Sequence, residues 1–150
     1  MRVSILEMRE GVDMRRSLRM AGCLLTLSLL WMGSAAAQVT HAVRLVANAA
    51  KDEYRFEPAS VVARPNDVIV FQVASGGPHS VVFEGEGLST GVRGAFNTAM
   101  PNRSGDLSSP LLTAPGTQYR MVVPQVPAGR YSFYCLPHRA YDMRGELTIR

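Results

Sequence analysis

Six short runs rich in β-branched and aromatic residues, each bounded by Gly, Pro, Asn or Asp, confine this chain to an all-β architecture. They cover residues 42–47, 68–73, 80–83, 119–123, 130–135 and 145–150, and such runs between turn residues read as strands. Most alternate. In the last, Leu147 and Ile149 share one face and Glu146, Thr148 and Arg150 the other, the pattern of a half-buried antiparallel strand. In the fifth, Tyr131, Phe133 and Cys135 share a face, so Cys135 continues a core face. Six or seven such strands in a chain of this size predict a two-sheet β-sandwich.

Residues 84–117 read differently. Nine of these 34 residues are Gly or Pro, which predicts a long loop holding at most one short helix near residues 97–100, before Pro101. A loop of this length is either a partner-binding flap or a surface insertion.

The N-terminus carries its own signal. Arg15, Arg16 and Arg19 stand at the start of an apolar run, residues 20–32, that ends in Gly33-Ser34-Ala35-Ala36-Ala37-Gln38. Basic flank, short apolar run and Ala-x-Ala site predict a leader, residues 1–37, cleaved after Ala37, and hence a periplasmic or secreted protein. The run falls short of the roughly 20 apolar residues a membrane span needs, so no stable span is expected after cleavage. Cys23 does not follow the run, as the cysteine of a lipoprotein signal would. Glu7, Glu10 and Asp13 suit a leader badly, which leaves Met1 and Met14 both open as starts.

Cleavage leaves 113 residues, 38–150, enough for a single domain. This part has 11 Lys and Arg against 9 Asp and Glu, a net +2 with the arginines scattered. A nucleic-acid partner is therefore not expected.

Cys135 is then a lone cysteine in an oxidising compartment, where an unpaired thiol is a liability. Its surroundings supply a reason for it. Cys135, His138 and Met143 bring thiolate, imidazole and thioether donors into nine residues at a strand end, and Pro78-His79 adds a distant second histidine. Two histidines, a cysteine and a weak axial methionine form the donor set of a blue-copper centre. His41, Met100 and Met121 are assigned to surface or core roles instead.

These residues carry a family resemblance. Pro78-His79 followed by Val81-Val82-Phe83, then Cys135-x2-His138-x4-Met143-x-Gly145, resembles the cupredoxins, in particular the plastocyanin, pseudoazurin and amicyanin group. Phe56-x-Pro58 and Pro65-Asn66-Asp67-Val68 look like the entry to an early strand of that family. The resemblance implies a Greek-key sandwich with one type 1 copper per chain, bound by His79, Cys135, His138 and Met143. Pro78, Ser80 and Pro137 would support the ligands, with His79 on a hairpin and prolines restricting the backbone on each ligand segment. The family typically has Asn where Ser80 stands, so the tie between the ligand segments is expected to change here. His138 would be the ligand at the solvent edge, within an apolar docking face of Leu136, Pro137, Ala140 and Tyr141.

The leading functional reading is a monomeric, exported one-electron carrier serving redox proteins such as c-type cytochromes or copper enzymes. The alternatives are a periplasmic copper chaperone or homeostasis protein, and a non-redox sandwich module with Cys135 buried or on zinc. An enzyme is not expected. Further copper centres need more histidines than His41, and a dinuclear copper centre needs a second cysteine.

Overall fold

Val68, Ile69, Val70, Phe71 and Val73 are all buried, and this near-continuous apolar run forms a strand with neighbours on both sides. The computed structural model describes residues 37–150; the expected leader, but for Ala37, lies outside the described residues. In chain order the strands are β1 (Thr40–Asn48), β2 (Glu53–Glu57), β3 (Ser60–Ala63), β4 (Val68–Ser75), β5 (Val82–Phe83), β6 (Gln118–Val122), β7 (Gly129–Tyr134) and β8 (Arg144–Ile149). Among the described residues one α-helix, α1 (Thr90–Ala99), stands between β5 and β6.

The strands form two four-stranded sheets, ordered β2-β1-β4-β6 and β3-β8-β7-β5. The all-β sandwich expected from the alternation is therefore present, with β2 and β3 beyond the six runs. Both sheets are mixed. β8 pairs antiparallel with β7, as its alternation suggested, but parallel with β3 on its other side. β1 likewise runs parallel to β4 and antiparallel to β2.

Alternation places the core. Leu147 and Ile149 are buried and Arg150 is exposed, while Tyr131, Phe133 and Cys135 line the inner face of β7 and its continuation. Phe133 sits at the centre, edge-on to Phe56, Phe71 and Phe83 at centroid distances of 4.8, 5.5 and 5.5 Å. Edge-to-face rings in this range attract beyond their area burial. Met100 and Met121 are core residues, as expected.

The 84–117 interval is more ordered than its composition suggested. It holds a ten-residue helix, which reaches back to Thr90 and so is longer than the short turn expected near residues 97–100. Ser89 caps it by accepting from the Val92 amide at 3.3 Å. Phe96 anchors it, packing on Phe83 at 4.6 Å and Tyr131 at 5.0 Å. Asn97 and Arg93 then hold Asp106, and Asn97 accepts from the amide of buried Leu107.

At the start of β4 a carboxylate gathers the chain. Asp67 accepts from the amides of Val39 and Arg64 at 3.0 and 2.9 Å and from His41 Nε2 at 3.0 Å. These bonds, those to the Arg64 amide and His41 foremost, lower its pKa to about 2. His41 thus has a structural partner, away from the metal-ligand candidates.

Candidate metal centre

Two loops at one end of the sandwich supply the donors. His79 lies between β4 and β5, and because those strands belong to different sheets its segment is a crossover between sheets, not the hairpin the sequence suggested. Its backbone is fixed on both sides, the amide donating to the Leu112 carbonyl at 2.9 Å and the carbonyl accepting from the Leu112 amide at 2.8 Å. Its ring is fixed as well. Nε2 lies 3.0 Å from the Ser75 carbonyl oxygen, which can only accept, so Nε2 carries the proton and the Nδ1 lone pair is free. A register shift between β1 and β4 pairs Val46 with Ser75 where the preceding pair is Leu45 with Val73, and this bulge places the carbonyl that orients the ring.

The second loop joins β7 to β8. Strand β7 ends at Tyr134, and the Cys135 amide donates across the loop to the Met143 carbonyl at 3.0 Å. Bonds from the amides of His138, Tyr141 and Asp142 to the carbonyls of Cys135, His138 and Arg139 tighten the turn between them. Cys135 Sγ, wholly buried, stands 3.8 Å from His79 Nδ1 and 3.5 Å from His138 Nδ1. The three donor atoms lie within 4.8 Å of one another. Bonds of roughly 2.0–2.3 Å to nitrogen and sulfur separate ligand atoms on one ion by about 3.5 Å, so this cluster can hold one metal ion. Met143 is fully buried at the end of the same loop.

Ser80 ties the two segments together. Its amide donates to Cys135 Sγ at 3.4 Å and its hydroxyl accepts from the Leu136 amide at 3.0 Å. The shorter side chain therefore still spans the gap the sequence left in question. Pro78 and Pro137 flank the ligand segments at exposed positions.

The surroundings set the protonation states. Burial raises the Cys135 thiol pKa, opposed by hydrogen bonds from the Ser80 and His138 segments, so the thiol holds its proton until a metal displaces it. Burial, then the neighbouring His79, lowers the His138 pKa, which favours the neutral imidazole that metals bind.

His138 is 9% exposed, while His79 is fully buried. Leu136, Pro137, Ala140 and Tyr141, the apolar loop residues picked out by sequence, are all exposed. Sequence reasoning missed Ser75, whose carbonyl orients His79, and Leu112, which pairs with it. It also missed Tyr54 on β2, whose ring lies 4.9 Å from that of His138. The Tyr54-x-Phe56 alternation was the one signal available for it.

The family model for copper binding proteins of the plastocyanin/azurin family matches residues 43–150. Chloroplastic plastocyanin of Pisum sativum is 33% identical over 108 residues, covering 72% of this chain and 59% of that one. Plastocyanin of Vicia faba is 34% identical over 107 residues, covering 71% of this chain and 99% of that one. Among solved structures, oxidised plastocyanin from Dryopteris crassirhizoma shares the fold, with a TM-score of 0.56 at 24% identity over 73% of this chain and the whole of the other. The model's span, the two relatives and a cluster of two imidazoles and a thiol at metal-binding separations lead to one assignment: the chain belongs to the copper-binding plastocyanin/azurin family, whose members are electron carriers and not enzymes.

Proposed function

We propose that this is an exported type 1 copper protein that shuttles single electrons, with His79, Cys135, His138 and Met143 as the ligands. The observation that carries the reading is the convergence of the His79, His138 and Cys135 donor atoms within 4.8 Å in a buried setting. Bound copper supplies a one-electron couple with soft thiolate and borderline imidazole donors. The protein's part is to keep those donors still, since ligand rearrangement adds to the barrier for transfer. Ser75, Leu112 and Ser80 fix the His79 segment, while the bond from the Cys135 amide to the Met143 carbonyl closes the other loop.

Electron exchange is assigned to the edge of His138, with Leu136, Pro137, Ala140 and Tyr141 as the contact face. Partners are redox proteins such as c-type cytochromes or copper enzymes, met by a monomer in a periplasmic or secreted setting. The leader motif supports export, and no helix among the described residues is long and apolar enough to cross a membrane. The test is copper loading of the purified protein followed by a visible spectrum and a potentiometric titration. One copper per chain, an intense thiolate-to-copper band absent in Cys135→Ser, and reversible cycling are expected. A protein that holds copper in a single oxidation state and hands it on would be a chaperone, and a protein that takes up no copper would refute both readings.

A further inference from the structure

A metal-binding imidazole is usually oriented by a hydrogen bond from its other ring nitrogen. His79 has that bond, to the Ser75 carbonyl at 3.0 Å. His138 does not. Its Nδ1 faces Cys135 Sγ, and its Nε2 has no hydrogen-bond partner among the described residues. What the ring does have is a face. Tyr54 lies against it at 4.9 Å between centroids and 36° between planes, and Tyr54 is in turn stacked on Tyr141 at 4.0 Å and 21°.

The three rings come from different places. Tyr54 is on β2, at the edge of the first sheet, whereas His138 and Tyr141 belong to the loop that joins two strands of the second. Tyr54 therefore braces the ligand loop against the opposite sheet. Tyr141, 53% exposed, covers it from the solvent side.

We propose that Tyr54 is the positioning residue for His138, its ring face taking the place of the missing hydrogen bond, with Tyr141 closing the stack. This rests on His138 being a ligand. The arrangement gives the two histidines different constraints suited to different duties. His79 is held by a directed bond through its far nitrogen, whereas His138 is held by the tilted face of Tyr54 and leaves its far nitrogen without a partner among the described residues. Stacked aromatic pairs contribute enough beyond area burial that losing one corresponds to roughly a three- to tenfold change in an equilibrium.

The test compares Tyr54→Leu, Tyr54→Phe and Tyr141→Ala with the parent protein in two measurements. The first is NMR relaxation of the histidine ring nitrogens in metal-free protein. Tyr54→Leu should mobilise His138 while leaving His79 rigid, Tyr54→Phe should restore the parent behaviour, and Tyr141→Ala should show a smaller change in the same direction. The second is copper(I) affinity by chelator competition, which should fall roughly three- to tenfold in Tyr54→Leu and be retained in Tyr54→Phe. A His138 ring as rigid in Tyr54→Leu as in the parent, or a phenylalanine that fails to rescue, would overturn the proposal. Should Tyr54→Leu not fold, an unchanged His138 ring in Tyr141→Ala together with a mobile one in Tyr54→Phe overturns it equally. A parent protein that binds no copper would instead overturn the ligand assignment, since the relaxation measurement needs no metal.

Discussion

Replacing Gly145 with alanine should cost the fold about 3 kcal/mol, because the new methyl has nowhere to go. A Cβ built there would meet the Phe133 ring at 2.5 Å and the Ala59 carbonyl oxygen at 3.0 Å. Carbon atoms prefer a separation of about 3.5–4.0 Å, so the ring has to retreat by about 1 Å. Its retreat is blocked. Phe133 is edge-on to Phe56, Phe71 and Phe83, and movement away from Gly145 spoils contacts that contribute about 0.5–1.5 kcal/mol each. Overpacking typically costs about 1–3 kcal/mol, and a locked ring beside a backbone oxygen puts this position at the upper end. For a unit the size of Ala37–Arg150 the melting temperature should fall by about 12 °C, at roughly 4 °C per kcal/mol. Thermal and urea unfolding of the metal-free protein measure the loss. Phe133→Leu, which removes the obstructing ring, should make the double variant less destabilised than the sum of the two single variants. A loss under about 1 kcal/mol, or strict additivity with Phe133→Leu, would refute the reasoning.

Ser80→Ala removes the acceptor for the Leu136 amide and should cost about 1 kcal/mol, with a measurable shift in the visible spectrum of the copper-loaded protein because the two ligand segments lose their tie. Asp67, with its folded pKa lowered to about 2 from 3.8, stabilises the fold above pH 4 and loses that contribution as pH falls from 4 toward 2. Asp67→Asn should therefore be about 2 kcal/mol less stable at pH 7, and the gap in urea midpoints should close across that acid range. Met143→Leu should leave a coloured site with a higher reduction potential, since losing a thioether donor disfavours copper(II); potentiometry decides, and an unchanged potential would remove Met143 from the ligand set.

The cluster of Cys135 and His138 with His79 was legible because its chemistry is dense in sequence: Cys135 and His138 lie three positions apart in one loop, and Pro78-His79 carries a family motif. The strands with clean alternation, β7 and β8, were equally plain. Strand β2 was not, because Glu53, Arg55 and Glu57 leave only Tyr54 and Phe56 to signal it. Helix α1 was obscured by Gly91 and Gly94, each about 1 kcal/mol worse than alanine in a helix, and it is stabilised by Phe96 instead. The expected strand at 80–83 shrank to Val82–Phe83, since the amides of Ser80 and Val81 are taken by Cys135 Sγ and Ser109 Oγ, partners no local pattern announces. Contacts such as Ser75 to His79 and Tyr54 to His138 depend on which strands become neighbours, which no single segment encodes.

The uneven spacing of the donors bears on how copper acts on folding. Cys135 and His79 are 56 positions apart, so the unfolded chain rarely brings them together, while the Cys135, His138 and Met143 donors stay adjacent whether or not the chain folds. The denatured ensemble therefore keeps a weak local chelate, and any affinity it retains subtracts from the stabilisation that mass action would confer on the native state. Copper should raise the unfolding midpoint by less than the native affinity alone dictates, and the deficit reports how well nine residues of loop bind metal without the sandwich around them.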